Sequence, residues 1–162
     1  MEESDIEGLL QTLNSRFTFL ERLILGQSGT VVTFLSLVFG SPVTVNLVSQ
    51  GECHDTIHRN VELICKSRNI CRASSSIPKD RNRSEVIADI LAGRLGLGHI
   101  VAKHNIPNRR ILLHIDCTEH LFYRTYRIEG AEVYITITEW FPKKEYHAFD
   151  CTSSAALHPC YR

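Results

Sequence analysis

Short runs in which every second residue is apolar recur through this chain, most of them joined to the next by only a few polar residues. Residues 30–39 are β-branched and aromatic, Gly40, Ser41 and Pro42 follow as a turn, and Val43, Val45 and Leu47 then alternate with Thr44 and Asn46, which predicts a hairpin. Residues 59–65 and 70–77 form a second pair around the polar turn Lys66-Ser67-Arg68-Asn69. After Pro107, residues 110–116, 121–129 and 132–140 read as three further strands, the last closed by Pro142. Strands joined this way pair antiparallel.

Helical spacing is confined to three places. Ser4 and Glu7 make a capping box ahead of Ile6, Leu9, Leu10 and Leu13. Thr18 and Glu21 repeat the box before Leu20, Leu23 and Ile24, with Gly26 available as a left-handed stop. Asn82 supplies a cap signal before Val86, Ile87, Ile90 and Leu91, and Gly93 ends that segment. Residues 143–162 carry no clear period. At 162 residues and 43% hydrophobic, the chain can bury one core and is short for two. The expectation is an α+β fold, one antiparallel sheet with helices on one face, as a single domain over residues 1–162.

Composition narrows the function classes. Eighteen basic residues cancel eighteen acidic ones, so the basic excess that phosphate binding needs is missing and nucleic acid is not an expected partner. The longest apolar run, residues 31–39, is too short for a membrane span, and the acidic start is unlike a secretory leader, so a cytoplasmic protein is expected. Six cysteines in a chain of this size read as free, largely buried thiols, although a bridge between Cys151 and Cys160 would also be compatible with the sequence. Cys53, His54 and His58 are the one local cluster of metal ligands, but the two histidines share a face only on a helix and the residues after them read as a strand. No metal is expected. The glycines at 93, 96 and 98 follow a helix, where a phosphate loop would open one, so a nucleotide loop is rejected.

Following the alternation to the strand ends brings charges onto the apolar side. Arg59 continues the series Val61, Leu63, Cys65; Glu139 continues Val133, Ile135, Ile137; Arg124 stands among Phe122, Tyr126 and Ile128. A charge facing an apolar interior costs several kcal/mol unless paired or met by a ligand. Two readings follow. Either the three charges line a cavity, or Glu139 neutralises Arg59 or Arg124 as a structural ion pair. In a cavity, guanidiniums suit a small carboxylic acid, and Glu139 would handle a hydroxyl or a proton.

The same residues carry a resemblance. The strand Arg59-Asn60-Val61-Glu62-Leu63-Ile64-Cys65, then Ala73-Ser74-Ser75-Ser76-Ile77-Pro78, resembles the chorismate pyruvate-lyase superfamily, where an Arg-led strand pairs with one ending in a hydrophobic residue and proline. Gly96-Leu97-Gly98 is similar to its Pro-Leu-Gly segment, Thr138-Glu139-Trp140-Phe141-Pro142 to its closing Thr-Glu-aromatic-Pro signature, and Arg16-Phe17-Thr18 with Glu21 to its early Ser-Met-Thr segment. The likeness runs in order over residues 16–142 and is nearest to the short archaeal, cyanobacterial and mycobacterial branch. It implies a six-stranded antiparallel sheet and a cofactor-free lyase that converts chorismate to 4-hydroxybenzoate and pyruvate. Carried over, Arg59 would hold the ring carboxylate, Glu139 would contact the 4-hydroxyl oxygen, and Leu97 and Phe17 would be apolar walls or flaps. Arg124, from its inward phase, would bind the side-chain carboxylate. The sequence departs at Ser74, where the ubiquinone-pathway enzymes carry an arginine, and at Phe17, where they carry methionine; an anion contact is therefore missing. Gly130, nine residues before Glu139, implies a longer final strand and a different pocket depth.

Two other functions compete. The same fold serves as the effector domain of transcription regulators that bind small acids and sugars without chemistry, but about 30 residues before the first strand, with no basic recognition helix, are too few for a DNA-binding module. A domain in which Glu139 pairs internally and nothing binds is the third. The expected partner is a small carboxylic acid, with neither nucleic acid nor membrane, and monomer or homodimer both fit.

Overall fold

In the computed structural model, which describes residues 15–149 together with Gln11 and Leu13, the strands are β1 (Thr44–Cys53), β2 (Thr56–Cys65), β3 (Arg68–Pro78), β4 (Arg109–Cys117), β5 (Leu121–Glu129) and β6 (Tyr134–Pro142). They form one antiparallel sheet in the order β1-β2-β3-β6-β5-β4. β5 and β6 alternate buried and half-buried residues without a break, because both lie inside the sheet with one face on the core. Lys66 and Ser67 both take positive φ (48° and 64°), so β2 and β3 are joined by a two-residue turn tighter than the four polar residues suggested.

Among the described residues, helices α1 (Phe19–Gly26) and α2 (Val31–Phe39) precede the sheet, and α3 (Ser84–Ala92) and α4 (Leu97–Lys103) lie between β3 and β4. The expected Thr18–Glu21 capping box is present, with each residue's backbone N–H donating to the other's side chain. Gly26 is not the stop. It stays helical and the chain leaves α1 through extended Gln27. Of the helix expected from Ser4, the described residues Gln11, Leu13, Ser15 and Arg16 are helical; its start and the Cys151–Cys160 bridge lie outside the described residues.

The largest correction concerns residues 30–39, read as a strand and found as α2. Their β-branched and aromatic character is a weak preference, and burial outweighs it: Leu35 and Phe39, one turn apart, enter the core, and Val31, Val32, Phe34 and Val38 pack against it. Gly40 closes the helix at φ 57°. The Ser36 hydroxyl donates to the Val32 carbonyl and accepts the Val43 N–H, so one side chain joins helix end to strand start. With residues 30–39 removed from the sheet, β1 pairs instead with β2 through the His54–Asp55 turn. α4 begins one residue after Gly96, a segment whose glycines conceal a helix from propensity alone. Asn82 does not cap α3; buried, it donates to the Pro78 and Tyr134 carbonyls and accepts the Tyr134 N–H, tying β3 to β6.

The core divides in two. One cluster joins Ile24, Leu25, Leu35 and Phe39 to Phe122, Phe141 and Tyr146. The other joins Val86, Ile90, Ile100 and Val101 to Ile57, Ile77, Ile128 and Ile135. Cys65 and Cys71 are buried free thiols and Cys53 is an exposed one. Among the described residues no helix is long and apolar enough to cross a membrane.

Candidate functional site

The strand registers place two cross-strand rows side by side on the inner face. Arg59 stands opposite Ser75, Ser75 opposite Ile137 and Ile137 opposite Tyr126; in the next row Val61 stands opposite Ala73, Ala73 opposite Glu139 and Glu139 opposite Arg124. Where these rows meet α2 and α4, at the seam between the two core clusters, the sheet does not close against the helices. The cleft left there holds about 560 Å³ of empty space when the open solvent at its mouth is counted. Val45, Val61, Leu63, Leu97 and Ile137 make it apolar, and Arg59, Glu139, Tyr126, Ser75 and Arg110 are its main polar groups.

Arg59 is 1% exposed. Its Nη2 donates to the Leu95 carbonyl at 2.7 Å, while Nε and Nη1 have no partner. Burial disfavours the charged form and pulls this guanidinium below its ordinary pKa. Since arginine remains charged regardless, an incompletely bonded cation is held against an apolar cavity.

Glu139 is 2% exposed and differently placed. Arg124, directly across from it, donates Nε to Oε2 at 2.7 Å, and the Tyr126 hydroxyl donates to Oε1 at 3.0 Å. Arg124 also donates Nη1 to the carbonyls of Ile24, Leu25 and Gln27. These are the orphan carbonyls at the end of α1, so the cation both caps a helix and holds the carboxylate. Burial, and then the charge of Glu139, push the Tyr126 hydroxyl well above its ordinary pKa, so it acts as a proton donor in a hydrogen bond.

Both readings of the inward charges are therefore present at once: Glu139 pairs with Arg124, and Arg59 remains unpaired beside a cavity. Arg59, Glu139 and Leu97 reach the cavity as expected. Arg124 does not line it; its Nε and Nη1 are committed to Glu139 and α1, which corrects its assignment to a ligand carboxylate. Phe17 is corrected too, because it packs in the cluster with Leu20, Leu35 and Phe39 and forms no wall. Ser74 faces away from the cavity and its neighbour Ser75 faces in, so the departure at Ser74 removes no contact from this site. Gly130 sits in the β5–β6 turn against the Pro107 carbonyl, remote from the lining.

Arg110 and Tyr126 escaped the sequence reading for different reasons. Tyr126 was in the inward series but counted there as an apolar residue. Arg110 was hidden by a bulge in β4 between Leu112 and His114, which puts Arg110 and Leu112 in phase with Ile115 and Cys117 only once the extra residue is allowed for.

No family model matches this chain. Over 114 residues it is 29% identical to a protein of Methanocaldococcus jannaschii carrying the name "Putative lyase MJ0807", an alignment covering 66% of this chain and 62% of that relative. Among solved structures it resembles PhnF from Mycobacterium smegmatis at a TM-score of 0.58 and 9% identity, covering 74% of this chain and 66% of the other. The likeness to PhnF is one of fold, the chorismate lyase-like α+β fold. The chain spans less than two thirds of either relative's length.

Proposed function

We propose that this protein is a lyase for small cyclic carboxylic acids and that its substrate is chorismate, from which it eliminates pyruvate to leave 4-hydroxybenzoate. The observation that carries this reading is Arg59: a buried guanidinium with two unbonded nitrogens, lining the same apolar cavity as a buried glutamate. A carboxylate accepting from Nε and Nη would complete its hydrogen bonds and supply the missing charge, and the planar fork fits a carboxylate bidentately.

Arg59 and Glu139 stand two strands apart and two residues out of step, a backbone separation of about 12 Å at ordinary strand spacings. Two side chains reaching inward from that distance leave the width of a substituted ring between them. A ring acid anchored on Arg59 thus presents its opposite end to Glu139. The reaction balances there without electron donors or acceptors. The C–O bond to the enolpyruvyl group breaks with its electron pair staying on oxygen, the ring carbon bearing the hydroxyl loses its proton, and the ring becomes aromatic. In this reading Glu139 contacts the hydroxyl and receives that proton, and the released enolpyruvate takes up a proton on carbon to become pyruvate. Aromatisation supplies the driving force, so orientation and a dry wall are what the protein has to add. The name of the archaeal relative and the shared fold support a lyase or small-molecule-binding role.

Incubating the purified protein with chorismate and measuring both products tests this. The expected result is equal amounts of 4-hydroxybenzoate and pyruvate, lost in Arg59→Gln and strongly reduced in Glu139→Gln, with activity retained in a chelator. Tight binding without products would leave a binding domain of the same fold, and neither binding nor turnover would overturn the reading.

A further inference from the structure

Arg124 grips Glu139 by one nitrogen only. Its Nε donates to Oε2 at 2.7 Å, Nη1 is spent on the carbonyls at the end of α1, and Nη2 is buried without a partner. Nε and Nη2 form the side-on fork that a carboxylate fits with both oxygens. The pairing that would satisfy every nitrogen of this guanidinium is therefore close at hand and is not made. A one-point grip leaves the carboxylate free to swing about its last torsion, which has no sharp minimum, so a second contact has to hold it back.

Tyr126 supplies that contact. It lies two residues from Arg124 on β5 and diagonally across from Glu139 on β6, a spacing that an aromatic side chain can span. Its hydroxyl donates to Oε1 at 3.0 Å. The ring is held without help from the hydroxyl. It is buried, the guanidiniums of Arg124 and Arg110 lie 4.9 and 5.4 Å from its centroid, and Arg110 is itself tied to the Gly29 carbonyl at 2.7 Å. Tyr126 and Glu139 line the cavity and Arg124 does not, so Oε1 is the oxygen on the cavity side.

We propose that Tyr126 is a positioning residue: it withholds Oε1 from the fork of Arg124 and keeps that oxygen, with a lone pair to spare, turned to a hydroxyl of the ligand. Without it, the carboxylate swings onto Nε and Nη2 of Arg124 and the cavity loses its acceptor. The inference rests on the acid-lyase reading above and adds the residue that makes Glu139 available to the ligand. The Tyr126 hydroxyl then serves recognition and not stability, because it stands in the way of a fuller ion pair.

Tyr126→Phe keeps the ring and removes the hydroxyl alone. Its crystal structure should show both oxygens of Glu139 on Arg124, and its melting temperature should equal or exceed that of wild type. Calorimetric titration then compares benzoate, which offers Arg59 a carboxylate alone, with 4-hydroxybenzoate, which adds the hydroxyl. Wild-type protein is expected to prefer 4-hydroxybenzoate about tenfold, and Tyr126→Phe should bind the two probes alike. Equal affinity of wild-type protein for the two probes overturns the positioning role and leaves the acid-binding reading intact. So does a variant that keeps the preference, holds Oε1 toward the cavity or melts below wild type. Binding of neither probe by wild-type protein overturns both.

Discussion

Arg124 holds the carboxylate of Glu139 from behind, Nε to Oε2 at 2.7 Å, with both side chains about 3% exposed. The geometry makes the pair a pedestal: Arg124 is clamped to the end of α1, Glu139 is clamped to Arg124, and the carboxylate edge nearest Tyr126 turns to the cavity. The acidic group of the site is thereby fixed in place before any ligand arrives, while the cation of Arg59 has one hydrogen bond and no carboxylate.

Removing one member of the pedestal strands the other charge in the interior. Arg124→Met is expected to lower stability by about 3–5 kcal/mol, measured by urea unfolding. Arg124→Met combined with Glu139→Leu should lose less than the sum of the single changes. Additive losses would mean the two residues do not act as a pair.

Arg59 should behave in the opposite sense. It has one hydrogen bond and two buried unbonded nitrogens, so Arg59→Met is expected to raise stability by about 1–2 kcal/mol while abolishing binding of ring carboxylates. A variant that melts earlier than wild type would show that Arg59 is held for structure.

Alkali should unfold the protein through three buried acids. Burial first, and neighbouring ionisable groups such as Glu139 second, raise Cys71, Tyr126 and Tyr146 above their ordinary values of 9.0, 10.0 and 10.0. The unfolded chain releases these protons at the ordinary values and the native chain retains them, so their contribution is fully present below pH 9.0 and is lost as pH rises beyond. Each group steepens the fall by about 1.4 kcal/mol per pH unit. Tyr146→Phe, which also forfeits the hydrogen bond to the Ile70 carbonyl, should start less stable at neutral pH yet decline less steeply between pH 10 and 11. Parallel curves for wild type and variant would contradict this.

Gly130 gives a steric prediction. A Cβ there would run into the Pro107 carbonyl, which is backbone and cannot step aside. Gly130→Ala should cost about 1–3 kcal/mol without altering affinity for 4-hydroxybenzoate, since the turn lies away from the cavity lining. A change in affinity at unchanged stability would link this turn to the site.

The inward direction of Arg59, Arg124 and Glu139 was readable before any coordinates, because side chains in a strand alternate by covalent geometry and each of the three continues an apolar series on its own strand. The capping box at Thr18 was readable for the same reason: its hydrogen bonds span three residues. Which arginine meets Glu139 was not. That is decided by strand order, which sets β5 beside β6 and keeps β2 two strands away, and by the end of α1, whose open carbonyls draw Arg124 from a hundred residues further along the chain. The helical state of residues 31–39 and the inward turn of Arg110 are likewise non-local. One follows from the core that Leu35 and Phe39 enter, the other from a bulge that reverses the parity of an edge strand. Period and capping are properties of neighbouring residues and are written in the chain; partners, burial and cavities arise only where distant segments are brought together, and there packing and desolvation outweigh the local preferences.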